Sequence, residues 1–143
     1  MKKILKSVAA VFAALVALTA CEKEDVVEFK LPSDEKFVGL TADQVKTAKG
    51  TPDEDSEGIL VYITDDEFVQ YVGFMYDEDT KIVGGLMFQI QPEWNTTVVS
   101  EYLSTIYTFL SVDDAKYVYK SKNEKLLCVY DATDNVVVIL PVE

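Results

Sequence analysis

Asp53, Asp55, Glu57 and Gly58, in "DEDSEG", set carboxylates at alternate positions ahead of a glycine, which is how a calcium-binding EF-hand loop opens. Such a loop should close on a glutamate at position 64, but that residue is Thr64 and a strand pattern follows it in place of a helix. The three carboxylates are therefore expected in a solvated loop with weak affinity for calcium at most, and no other metal site is expected. Asp65-Asp66 and Asp113-Asp114 are the kind of carboxylate pair that glycoside hydrolysis needs, and Lys120-Ser121 would offer a base beside a hydroxyl. Both acidic pairs fall at predicted turns, in a chain with few residues to spare for a walled cleft, and the lysine–serine pair shares that weakness. Histidine is absent from the sequence, which removes the ordinary triad, His-ligated zinc and the one base poised near neutrality. Cys128 lies in the apolar run "LLCVY", where a thiol acts as a small buried hydrophobe. No residue receives a catalytic role, no cofactor is expected, and the chain reads as a protein without enzymatic activity.

Charge narrows the partners. Thirteen lysines and no arginine stand against twenty-five acidic residues. Nucleic acid is excluded as an expected partner, because phosphate binding rests on basic patches. Anionic headgroups would be repelled as well, so any membrane association has to come from something other than surface charge. The acidity itself serves solubility.

The N-terminus supplies that other means. Lys2, Lys3 and Lys6 precede an uncharged stretch from Ser7 to Ala20 with "VAAVFAALVAL" at its centre. A basic start, a short apolar run and small residues at the end are the order of a secretory signal, and the run is shorter than the roughly 20 residues a spanning helix needs. Leu18, Thr19 and Ala20 lead directly to Cys21. "LTAC" at this position resembles the lipobox of bacterial lipoproteins. The resemblance implies cleavage before Cys21, a diacylglyceryl thioether on its sulfur and a third acyl chain on the freed amine. Two or three chains make a stable anchor where one is marginal. Lys23, Glu24 and Asp25 follow, and they look like the surface-export signal of Bacteroidota-type lipoproteins, a lysine and two acids just past the lipidated cysteine. The expected location is the bacterial outer membrane, lipid-anchored, at the cell surface. After the leader is removed, ten lysines remain against twenty-five acids, a net charge of −15.

The rest of the chain must build one domain. The expected division is a leader over 1–20, the lipidated cysteine with an acidic tether or first edge strand over 21–36, and a single domain over 37–143. "VVEFKL", Val26 to Leu31, alternates as a half-buried strand does. Thr41 and Gly50 bracket a short helix in "LTADQVKTAKG", and the acidic stretch Thr51 to Gly58 reads as a loop. Strands are expected at Ile59 to Thr64, Glu67 to Tyr76 and Lys81 to Gln91, with Gly84-Gly85 marking a bulge or a close approach. From Asn95, a cap residue by type, Val98, Val99, Tyr102, Leu103, Ile106, Phe109 and Leu110 recur at helical spacing, so one long helix is predicted through Ser111. Strands follow at Lys116 to Ser121, Lys125 to Tyr130 and Val136 to Val142. The fold class is α+β: an antiparallel sheet of about six or seven strands with one long and one short helix packed on one face.

"MYDEDTKIV" echoes "VYDATDNVV" at an offset of 54 residues, yet Thr41 to Gln89 shares only six identities with Asn95 to Glu143, at Val45, Thr51, Tyr76, Asp77, Val83 and Leu86. Similar turn chemistry accounts for that echo as readily as duplication does. Trp94 and Tyr71, Tyr76, Tyr117, Tyr119 and Tyr130 are either core packing or, on an uncovered sheet face, rings that would stack on a glycan or anchor a protein. A small lipid-anchored binding or assembly module is the leading expectation. Two alternatives are an inhibitor-like or immunity-like protein docking on a protein partner through its acidic surface, and a small hydrolase.

Overall fold

The computed structural model of the chain describes residues 28–142. A 3-10 turn (Glu35–Phe37) leads into α1 (Ala42–Lys49), followed by β1 (Glu54–Ser56), β2 (Ile59–Ile63), β3 (Val69–Tyr76) and β4 (Val83–Ile90). After α2 (Thr96–Ile106) come β5 (Tyr107–Asp113), β6 (Lys116–Ser121), β7 (Leu126–Asp131) and β8 (Val136–Pro141). All eight strands form one antiparallel sheet in the order β1-β2-β3-β4-β8-β7-β6-β5. Each helix thus precedes a four-strand meander, and the two meanders join at their last strands.

The helices begin where side chains can satisfy the backbone donors that a first turn leaves open. Thr41 accepts from the Gln44 amide while Gln44 returns a bond to the Thr41 amide, a full capping box. Asn95 accepts from the Val98 amide in the same way. Val45 on α1 and Val99 on α2 are both fully buried, 54 residues apart.

The same offset relates the turns that follow β3 and β7. Asp77 accepts from the amides of Asp79 and Thr80 at 2.8 and 2.9 Å, and Asp131 accepts from those of Thr133 and Asp134 at 3.0 and 3.4 Å. Both turns close on a left-handed residue, Lys81 at φ 66° and Asn135 at φ 58°. Val83 and Val137, just beyond, are buried in β4 and β8. Four of the six identities therefore fall at equivalent places in two similar halves, so the echo has an architectural counterpart that six matches alone did not establish.

One row of side chains crosses the sheet from Leu60 through Phe74, Leu86, Ile139 and Cys128 to Tyr119. None of them is more than 1% exposed. Both helices cover this row. Lys49 at the end of α1 reaches over the Phe37, Tyr62 and Phe74 rings, and Tyr119 donates its hydroxyl to the Ser100 carbonyl of α2.

The architecture is the expected α+β class, with three corrections. The sheet has eight strands, not six or seven: part of the acidic stretch predicted as a loop pairs with β2 as a short edge strand, exposed throughout, and the end of the predicted long helix supplies the other edge. The long helix stops at Ile106; Tyr107 to Ser111, read as its last turns, belongs to a strand, Tyr107–Asp113, paired with β6. A run of aromatic and β-branched residues fits a pleated surface better than a helix, and here Tyr107 and Phe109 face Ser121 and Tyr119 across the ladder. No strand forms over the described part of Val26 to Leu31. Instead Phe29 and Leu31 are buried, and Phe29 meets the rings of Phe68, Trp94 and Tyr102 at 5.7, 5.3 and 5.4 Å. The compact unit consequently begins before residue 37.

Candidate functional site: the uncovered sheet face

Because successive strand residues point to opposite faces, every buried row implies an outward row beside it. The central outward row runs Val61, Gly73, Met87, Val138, Val129, Val118, continuously through the registers of six strands. On one side of it stand Ile59 and Met75 with Gly85, then Leu140 and Leu127. On the other stand Ile63, Tyr71, Gln89 and Val136. Nearly every position is apolar, and no described residue covers them. Ile63 is 68% exposed and Leu140 38%.

Two glycines shape this surface. A Cβ at Gly73 would lie 3.1 Å from Ile59 Cδ1, and one at Gly85 would lie 2.7 Å from Leu140 Cδ2 and 3.1 Å from Met75 Cε. Ile59, Met75 and Leu140 thus lean across their glycine neighbours and leave a low-relief sheet surface. The ladder also slips between Met75 and Tyr76, opposite Gly84, which is the irregularity the glycine pair predicted. The six strands that carry the central row, spaced about 4.8 Å apart, give an apolar face roughly 29 Å wide. With three outward rows its area is on the order of 600 Å², about three-quarters of the roughly 800 Å² that each partner contributes to a standard protein interface.

The two edges differ. β1 is three residues long and carries Glu54 and Asp55, the kind of short, charged edge that discourages further pairing. β5 is seven residues long, and Phe109, Leu110 and Val112 are about half exposed along it. A bulge between Phe109 and Ser111 breaks its ladder. At one end of the sheet the β2–β3, β5–β6 and β7–β8 connections come together. Asp65, Asp66, Asp113, Asp114, Asp131 and Asp134 lie there, with Lys116 paired to Asp131 at 3.6 Å.

The candidate chemistry disperses. Asp53 accepts from the Ile63 amide at 2.7 Å, and Asp55 is held between Lys46 at 2.8 Å and the Tyr76 hydroxyl at 3.2 Å. The Lys46 ammonium accordingly lowers the Asp55 pKa. Glu57 is exposed in the next turn, and no group of three or more potential ligands among the described residues converges on a metal position. Asp66 caps its own turn through the Phe68 and Val69 amides at 2.6 and 3.2 Å. The two acidic pairs share a sheet end without forming a cleft. Ser121 receives the Lys125 and Leu126 amides and donates to Asn123, so it organises a turn, while Lys120 points to the opposite face. Cys128 is fully buried, and burial pushes its thiol up to about 12.

Of the aromatic candidates only Tyr71 lies on the uncovered face. Tyr76, Tyr117, Tyr119 and Tyr130 lie on the helix side, where Tyr130 donates to Asn135 at 2.8 Å. Trp94 packs against Phe29 and Phe68 and donates to the Glu67 carbonyl at 2.8 Å. The face is thus aliphatic, without the ring array that glycan stacking needs. Its aliphatic residues were the signal that sequence reasoning passed over. Leu18, Thr19, Ala20, Cys21, Lys23, Glu24 and Asp25 lie outside the described residues, and no helix within them is long and apolar enough to cross a membrane.

No protein-family model and no curated protein matches the chain. Among solved structures it is similar to an extracellular protein containing an SCP domain from Bacillus anthracis str. Ames, at 14% identity and a TM-score of 0.43, over 84% of this chain. The match spans about half of that protein, 49% of its chain, and a likeness of this degree carries no argument.

Proposed function

We propose that the chain is a small lipoprotein of the bacterial outer membrane, anchored through acyl chains on Cys21 and displayed at the cell surface, where it acts as a non-enzymatic docking module. Its α+β domain takes a protein partner on the aliphatic sheet face. The uncovered face carries this reading: a contiguous apolar surface of interface size, rimmed by charge, is what distinguishes a docking surface from scattered exposed side chains. Phe29 supports the anchoring geometry. Seven residues separate it from Cys21, a reach of at most about 28 Å. The domain therefore rides close to the bilayer, tethered from the aromatic cluster beside α2.

The reading is tested by site-specific photo-cross-linking in the native host, with the reactive residue placed at Val129 on the open face or at Glu101 on the exposed side of α2. A discrete adduct that forms from Val129 only, and disappears when Met87 is changed to Lys, is the expected result. Equal labelling from both positions, or none from Val129, overturns it. The acidic sheet end favours one variant of this function, an inhibitor-like or immunity-like module whose target carries basic residues. Salt would then slow association steeply, since charge steering is screened over about 8 Å at physiological ionic strength.

A further inference from the structure

A depression of about 360 Å³ opens at the acidic end of the sheet, lined among others by Gln70, Gln89, Pro92, Trp94 and Asp134. That is at the small end of ligand sites, which run to about 1,000 Å³. It holds one long side chain more naturally than a free metabolite. Gln89 belongs to the outward row with Tyr71 and Val136, so the depression adjoins the docking face.

Its polar groups are biased toward accepting. The Gln89 amide nitrogen donates to the Asp134 and Asn135 carbonyls at 3.0 and 3.2 Å, leaving its oxygen as an acceptor. Asn135 is likewise committed, donating to Gln91 and Trp94 carbonyls at 3.4 Å. The exposed Asp134 carboxylate takes part in no ion pair among the described residues. Trp94 supplies an aromatic wall, its indole nitrogen already bonded to Glu67. Acceptor oxygens beside a carboxylate and an indole are complementary to a planar, donor-rich cation, which hydrogen-bonds in its plane and stacks on its face.

We propose that this depression receives an arginine side chain of the partner protein, the guanidinium engaging Asp134 and the Gln89 oxygen against Trp94. The inference rests on the docking function above and adds the chemistry of the partner's anchor residue. This chain contains no arginine, so neither it nor a second copy can fill the site in that way. Arginine is also among the residues that most often dominate interface energy.

The test is an NMR titration of the full-length chain in detergent micelles with N-acetyl-arginine-methylamide, with the citrulline analogue as the uncharged control. Chemical shifts should move at residues 132–135 and at the Trp94 indole N–H, with binding at least about fivefold weaker for citrulline and for the Asp134→Asn variant. Asp114→Asn, at a neighbouring turn outside the depression, should leave binding unchanged. Shifts spread over all acidic turns, or equal responses to both probes, overturn the proposal. Because this titration does not involve the open face, its failure alongside a Val129 cross-link removes the arginine pocket and leaves the docking module. Failure of the cross-link with a positive titration does the reverse.

Discussion

Val137 and Val138 are neighbours on β8 and differ in one respect, the face each side chain enters. Val137 is fully buried opposite Phe88 and Tyr130, whereas Val138 is half-buried in the central outward row between Met87 and Val129. Changing either to Thr keeps the β-branch and the strand preference and swaps a methyl for a hydroxyl. At 137 the hydroxyl enters a packed apolar layer. Burying a hydroxyl without a partner costs about 1–3 kcal/mol in proteins, so about 2 kcal/mol is expected for Val137→Thr. At 138 water can solvate the hydroxyl, and the cost should stay below about 0.5 kcal/mol, as for an ordinary surface change. For a domain of this size, 1 kcal/mol corresponds to about 4 °C in Tm, giving a fall of about 8 °C for the first variant and about 2 °C or less for the second. Thermal unfolding followed by circular dichroism, with urea titration to check that the m-value is unchanged, measures both. Equal losses would show that the outward row is packed against something, and the assignment of an open face would fall.

Breaking the Asp34–Lys49 pair should cost more than a surface ion pair. Asp34 is 5% exposed and sits 3.3 Å from Lys49, which is also held over three aromatic rings. Lys49→Met, which strands the carboxylate, should lose about 3 kcal/mol in urea unfolding, and the Asp34→Asn/Lys49→Met double variant should recover part of it. Lys81→Gly should stabilise by about 0.5–1 kcal/mol, because glycine accepts the positive φ without a Cβ penalty. Asn135→Gly should destabilise, since the same relief is outweighed by loss of the Tyr130 and backbone bonds. Cys128 should resist maleimide in the native chain and react quickly in urea, as its raised pKa and burial require. Asp77 is lowered by the Thr80 and Asp79 amides, so its contribution to stability is present above the unfolded value near 3.8 and is lost as pH falls through the folded one. An acid titration of Asp77→Asn should therefore show a shallower loss of stability below pH ~4 than the parent chain.

Much of the fold could be read from the residues because local signals agreed with tertiary ones. Thr41 and Gly50 mark the two ends of α1, and the Gly84-Gly85 pair located the slip in the β3–β4 ladder. The failure at Tyr107 to Ser111 has a physical cause: in "EYLSTIYTFLSV" apolar residues satisfy both a helical and an alternating period, and only pairing with β6 decides between them. β1 was hidden because Glu54, Asp55 and Ser56 have little strand preference and are held by their ladder to β2.

The candidate site was less legible. Runs such as "LLCVY" and "VVVIL" are apolar at successive positions, as strands buried on both faces are. Nothing in such a run says which alternate set is left uncovered, and that requires knowing that α1 and α2 share a face. The tyrosines misled for a related reason. A buried ring is acceptable when its hydroxyl reaches a polar partner, as Tyr62 does at the Gly50 carbonyl, at 2.8 Å, and Tyr119 at Ser100.

Met75 and Met87, the two methionines beyond the leader, both belong to the open face. They make its occupancy directly measurable, because a solvent-exposed thioether is readily oxidised to the sulfoxide. The decisive measurement compares their oxidation rates by a dilute peroxide pulse on intact host cells and on the purified acylated chain in nanodiscs, read by mass spectrometry. A docked partner predicts rapid oxidation of both in the purified chain and at least about tenfold slower oxidation on cells, a protection equivalent to about 1.4 kcal/mol or more of binding. Equal rates in the two settings would mean that the face stands open at the cell surface, and would contradict the account.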